Sequence, residues 1–482
     1  LALGPSAALA HHEILPPLLN PADLAREAPA WLLSAILHML VLIVLALLFV
    51  VQHHPERFVL EMDARDGGED LLAGDFDVPL EMDDPLADSA AMATDQIVQV
   101  ESNVELTEAD PIPLATTGEV AAASAPAIQS LLSGREEGLR EALLMAYGGN
   151  AGTQESVAGA LRWLARNQDR RTGLWSLAGP YANGRSGVDN KNAATGMALL
   201  AFQGAGYTPD GDPKDPFTSV VRRGWTALLK RQDPSGFLFQ EGAAHDRLYT
   251  HAICTIALCE LYAMTKDSLY HEPAQRAVNY CAEIQSPEGG WRYTPGVDSD
   301  LSVTGWFVMA LQSARMGGLA VSTTTLERVS NYLDIVSRDG GSQYAYHTSQ
   351  PSRLSMTAEG LLCRQYLGWK HDDRRLKKGT EILLRTLPSW ERDSRNCYYW
   401  YYATQVCHHM EGEYWQTWNR EMRTLLPENQ VREGKERGSW DPGGDEWGSR
   451  GGRLMVTCLH TYMLEVYYRH LPIYQLHLMG GN

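Results

Sequence analysis

The sequence predicts an all-α protein, an α/α toroid of about six helical hairpins preceded by one transmembrane helix and a disordered acidic linker. Three observations predict it. A Gln-to-aromatic motif recurs at hairpin spacing in the larger C-terminal part, an uncharged run of 21 residues stands near the start, and most of the negative charge lies between them.

The repeat comes first, because a period of this length sets the architecture. RWLARNQDRRTGLW at 162–175, TALLKRQDPSGFLF at 226–239 and NYCAEIQSPEGGW at 279–291 each read as a helix end, a Gln, a Gly turn and an aromatic. A weaker copy at 331–344 puts Ser337 at the Gln position, and Leu387 with Trp390 offers a fifth. The steps from Gln168 to Gln232, Gln285, Ser337 and Leu387 are 64, 53, 52 and 50 residues, the length of a helical hairpin. Apolar helices are expected between the copies, at 192–206, 249–265, 301–317, 353–368, 396–410 and 453–470. A lone hairpin would leave an apolar face wet, so an inner ring of helices inside an outer one follows.

Gln168, Trp175, Gln232, Gln285, Gly290 and Trp291 are expected to be structural. The Gln side chain can serve the orphan carbonyls of one helix end and the orphan N–H groups of the next helix. The Gly permits the reversal and the aromatic covers the Gln amide.

Trp31–Val51 spans the roughly 30 Å hydrocarbon layer at about 1.5 Å per residue, which predicts a single-pass anchor in a lipid bilayer. Ser34, His38 and Leu45 resemble the spacing in the membrane helix of TonB-type energy-transducing proteins, which implies a toroid on the exported, periplasmic side. Residues 52–110 then carry seventeen Asp or Glu against Arg57 and Arg65, a balance of −15 within a total of −18. The segments expected are therefore 1–30, the membrane helix 31–51, a linker 52–137, the toroid 138–475 and a tail 476–482. The remainder is nearly neutral, so no nucleic-acid partner is expected. Seven cysteines without a CxxC pair read as buried thiols.

With its Q-x(3–5)-G-x-W pattern, the repeat over 138–475 resembles the QW repeat of squalene-hopene and oxidosqualene cyclases, a fold shared with protein prenyltransferases. The resemblance implies a cavity for an isoprenoid-like apolar ligand and, in the cyclases, acid chemistry from a D-x-D-D motif. Asp298 and Asp300 supply a D-x-D pair at the corresponding turn, with Leu301 in the fourth place. Clustered, buried carboxyls keep one member protonated; alternatively, Asp300 or Ser302 caps the helix from 301. Trp306, Tyr398, Tyr399, Trp400, Tyr401 and Tyr462 are candidate ligand-lining aromatics, since π faces stabilise cations.

The prenyltransferase zinc set is incomplete. Cys397, Tyr398 and Trp400 echo its Cys stretch, but Arg395 replaces the Asp and Val456 the His, so neither metal nor cofactor is expected. Two further readings stand beside the cyclase: a non-catalytic binding or scaffold toroid with protein partners, and a zinc-dependent prenyltransferase.

Overall fold

The computed structural model describes residues 130–135, 137–391 and 394–475, all within the compact unit Ala109–Asn482. The expected segments 1–30 and 31–51, the linker up to residue 129 and the tail 476–482 lie outside the described residues. Among the described residues no helix is long and apolar enough to cross a membrane, so the anchor rests on the sequence alone.

Thirteen α-helices follow one another among the described residues. After α1 (Glu137–Ala146), six outer helices alternate with six inner ones. The outer set is α2 (Ala151–Asn167), α4 (Pro216–Leu229), α6 (Ser268–Glu283), α8 (Thr323–Val336), α10 (Arg374–Leu384) and α12 (Gly412–Glu428). The inner set is α3 (Lys191–Gly204), α5 (Arg247–Thr265), α7 (Leu301–Gly317), α9 (Leu354–Tyr366), α11 (Cys397–Met410) and α13 (Gly448–Arg469). Each inner helix packs on the next, and α13 returns to α3, which closes the ring. Outer helices are half apolar, burying one stripe, while α7, α11 and α13 are buried nearly all round, as helices covered on both sides must be.

The Gln turns are the joints. Gln168 Nε2 donates to Gly173 O of its own turn and to Val220 O in the next outer helix, both at 2.9 Å. Gln232 and Gln285 repeat this toward Pro273 O and Thr325 O. The orphan carbonyls at the helix end go instead to the Trp: Trp175 Nε1 donates to Leu164 O and Trp291 Nε1 to Cys281 O. This corrects the expected division of labour, because two amide N–H donors suit two carbonyls and the Gln Oε1 is left for Arg223 or Arg276. A Thr on the following inner helix adds a further repeated contact, with Thr195 Oγ1 accepting from Trp175 N and Thr304 Oγ1 from Trp291 N. Gly290 leaves no room beside that Thr: a Cβ there would lie 2.5 Å from Thr304 Oγ1.

Another full copy lies at Trp440, whose sequence resembles the aromatic of a repeat turn and whose Gln stands farther away than the pattern allows. Gln430 donates to Gly438 O and to Ser156 O in α2, while Trp440 Nε1 donates to Leu426 O. At the weak copies the geometry changes, and Ser337–Arg338 pairs with Gln343–Tyr344 as a two-residue antiparallel ladder.

The last residues of the expected linker also contact the ring. Ser130–Arg135 forms a 3-10 turn against the ring, with buried Arg135 donating to Arg469 O and pairing with Glu260 at 2.8 Å. A buried guanidinium needs such partners, and Gly134 allows the approach, since a Cβ would stand 2.6 Å from Tyr468 O. Ser130–Arg135, placed in the linker by the sequence reading, is therefore packed on the ring.

Candidate functional site: two buried carboxyls on the ring axis

The inner helices run parallel, so their N-terminal ends share one mouth of the ring. Asp300 stands at that mouth as the N-cap of α7, accepting from Val303 N at 2.7 Å. Its backbone N–H bonds Trp291 O, so the Gln285 turn itself positions the cap. Asn190 and Asn396 cap α3 and α11 in the same way, which makes this a repeated position. Asp300 is fully buried and also accepts from Tyr346 OH at 2.9 Å, with Arg292 Nε 3.4 Å away. Burial pushes its carboxyl up to about 7, against the pull of those donors. Asp298 faces outward and pairs with Arg292 at 2.7 Å, so the two aspartates share an arginine rather than a proton.

A second carboxyl, which sequence reasoning missed, lies deeper. Glu359 of α9 is fully buried, and Tyr398 OH stands 3.3 Å from its Oε1. Tyr398 in turn meets Ser302 Oγ at 2.7 Å, and Tyr249 OH donates to the same Ser302 at 2.9 Å. The chain Tyr249–Ser302–Tyr398–Glu359 thus links four inner helices across the ring. Burial drives the Glu359 carboxyl well above the usual carboxylate range, against the pull of its tyrosine hydrogen bonds. Its sequence signal was the small residue opposite: a Cβ on Gly305 would come within 2.0 Å of Glu359 Oε1.

Aromatic side chains fill the axis beside this chain. Trp306 of α7 stacks on Tyr401 of α11 with centroids 5.8 Å apart and planes at 17°, and its Nε1 donates to Tyr398 OH. Tyr462 of α13 packs on Tyr401 and donates to Met197 O. Trp306, Tyr398, Tyr401 and Tyr462 therefore converge. Tyr399 and Trp400 do not: Tyr399 OH reaches out to Leu383 O, and Trp400 stacks on His460 toward α13. A run of five aromatics at about 100° per residue must distribute itself around the helix.

Toward the other mouth the axis holds a polar cavity of about 20 Å³ between Glu260, Tyr366, Tyr401, Gln405, Arg469 and His470. That is room for about one water. Arg469 bridges Glu260 and Glu465 there, and burial raises Glu465 to about 8.

The zinc residues do not assemble. Cys397 gains an acidic neighbour absent from the local sequence pattern, its Sγ lying 3.3 Å from Asp445 Oδ1. His460, the histidine one helical turn beyond Val456 that the sequence offers as another potential ligand, packs its ring between Trp390, Trp400 and Trp440. Among the described residues no group of three or more His, Cys, Asp or Glu is arranged to hold a metal ion.

Fold and site together define a closed α/α toroid with an aromatic-filled axis and buried carboxyls, of which Asp300 and Glu359 stand beside the aromatics. No family model and no curated protein matches the sequence. Among solved structures, it is similar to a variant of the type II terpene cyclase MstE from Scytonema in complex with geranylgeranyl dihydroxybenzoate, at 12% identity and a TM-score of 0.44, covering 66% of this chain and 98% of that one. It is similar to an inactive α-1,6-mannanase variant from Salegentibacter in complex with α-1,6-mannotriose at 11% identity and a TM-score of 0.44, covering 66% and 99%. An α-amylase from Clostridium perfringens gives 10% identity, a TM-score of 0.44 and coverage of 65% and 98%. The ring assignment stands on the chain's own helix contacts.

Proposed function

We propose that this toroid is a non-catalytic binding or scaffold module, held at a membrane by the anchor and acidic linker that the sequence predicts. The observation that carries this is the filled axis: Trp306, Tyr398, Tyr401 and Tyr462 are all buried, and the cavity beside them measures about 20 Å³. Ligand pockets for molecules of drug size run to about 300–1,000 Å³, and a polyprenoid needs space of that order. Asp300, meanwhile, is engaged by a helix end, a tyrosine and an arginine.

One observation favours a second reading, an isomerase that uses acid chemistry on an isoprenoid-like ligand. Glu359 is a fully buried carboxyl whose hold on its proton is strengthened by burial, beside aromatic faces, the combination that could deliver a proton and stabilise the resulting cation. It requires Trp306 and Tyr401 to part.

The experiment is incubation of the detergent-solubilised chain with squalene and shorter polyprenoids, with products read by mass spectrometry. The binding-module reading expects no conversion. Cyclised product that disappears in Glu359→Gln or Asp300→Asn would overturn it in favour of the acid.

A further inference from the structure

The ring carries a preformed cationic groove that shares no lining residue with the axis, where the last Gln turn meets the end of α2. Arg166, Arg432, Glu433, Gly434 and Arg437 line an open space of about 420 Å³. Partial burial, then the charge of Arg437 and lastly that of Arg162 lower the affinity of Arg166 for its proton, so Arg162 acts on the same space. Like charges brought together in this way are costly unless an anion accompanies them.

Two of the guanidiniums are held rather than free. Arg166 Nη2 donates to Arg437 O and Arg432 Nη2 to Pro427 O, both at 2.5 Å, which leaves their remaining N–H groups for a ligand. The loop beneath is fixed by Gln430, bonded to Ser156 O and Gly438 O, and by Gly438, where a Cβ would lie 2.2 Å from Gly159 O. Glu436 offsets part of the charge at Arg166, but its carboxylate is turned inward and accepts from Trp163 Nε1 at 2.8 Å. Only Glu433 remains on the groove's lining as a carboxylate.

We propose that this groove binds a phosphoryl oxyanion, with Arg166, Arg432 and Arg437 as its ligating side chains. Planar, fork-shaped donors match tetrahedral oxyanions in charge and spacing, and their prior fixation removes part of the ordering cost of binding. The oxyanion can come from a soluble pyrophosphate or from an anionic lipid headgroup. The site is independent of whether the axis is catalytic.

The test uses the full solubilised chain and two probes, inorganic pyrophosphate by calorimetry and phosphatidylglycerol vesicles by co-sedimentation, against chloride at matched ionic strength and phosphatidylcholine vesicles. Saturable binding by the wild type, weakened about tenfold or more in Arg166→Gln/Arg432→Gln/Arg437→Gln with the helical signal and melting unchanged, is the expected result. Arg170→Gln/Arg171→Gln, outside the groove lining, should bind as wild type, and the three single substitutions serve if the triple variant fails to fold. Retention on vesicles without pyrophosphate binding assigns the headgroup, and the reverse assigns a soluble ligand. Equal affinity in the groove variants, or a wild-type response no greater than that to chloride, overturns the proposal.

Discussion

Gln430 in the last turn of the ring donates to the Ser156 carbonyl in the first outer helix at 2.8 Å, although the two are 274 residues apart in sequence. This bond does at the seam what Gln168, Gln232 and Gln285 do between consecutive hairpins. Seam and repeat are thus one device, and the ring closes by reusing it.

Replacing Gln430 with Ala should therefore cost about 1–3 kcal/mol, since two buried carbonyls lose their donor. Urea denaturation measures the loss, and hydrogen exchange should show it concentrated in α2 and α12. A uniform rise in exchange around the whole ring would contradict a seam role.

Trp291→Phe removes the indole donor from Cys281 O while keeping most of the buried ring. The expected destabilisation is about 1–3 kcal/mol, against roughly 3–5 for Trp291→Ala, which also opens a cavity beside Phe307. Comparing the two by chemical denaturation separates the hydrogen bond from the packing.

The pH dependence of stability has a definite sign. Asp300 titrates near 7 in the folded ring and near its ordinary value of 3.8 when unfolded, so the folded state holds the proton more tightly. Its contribution is fully present below about pH 4 and is lost as pH rises through 7. Asp300→Asn keeps an acceptor for Val303 N and should flatten the melting profile between pH 4 and 7, by roughly 1–2 °C for each kcal/mol involved in a unit of this size. A variant whose melting temperature falls as steeply as the wild type over that range would show that Asp300 is not the group responsible.

Gly305 and Glu359 should behave as a pair. Gly305→Ala alone drives a methyl into the carboxyl and is expected to cost about 1–3 kcal/mol or more. In Gly305→Ala/Glu359→Ala the clash is gone, and a double-mutant cycle should return a coupling energy of about 0.5–3 kcal/mol. Additive effects in thermal denaturation would place the two side chains out of contact.

Arg135 ties the entry segment to the ring, so Arg135→Ala, which removes one partner of a buried pair, should cost about 3–5 kcal/mol. Limited proteolysis is expected to cut first between residues 130 and 150. Protection equal to wild type in that segment would mean that Leu132 and its apolar neighbours hold it without the ion pair.

The ring was legible because it is written in local, repeated chemistry: a Gln, a turn glycine and a Trp at hairpin spacing, with apolar helices between. Gln430 escaped because eight residues separate it from Gly438, a longer turn than the pattern allows. Asp300 could be singled out from its D-x-D turn, but its partners could not, since Tyr346 comes from the next repeat and Arg292 from the preceding turn. Glu359 sits in an ordinary-looking helix, and only burial against Tyr398 and Gly305 makes its carboxyl unusual.

By itself, then, the sequence determined the helical ring, its joints and the position of one buried acid, because each depends on residues close together in the chain. Tertiary structure alone decided which aromatics meet on the axis, how little space they leave, and that a second carboxyl and an arginine groove exist. Those properties arise where distant segments are brought together, and burial, charge and shape are set there by neighbours that sequence order does not reveal.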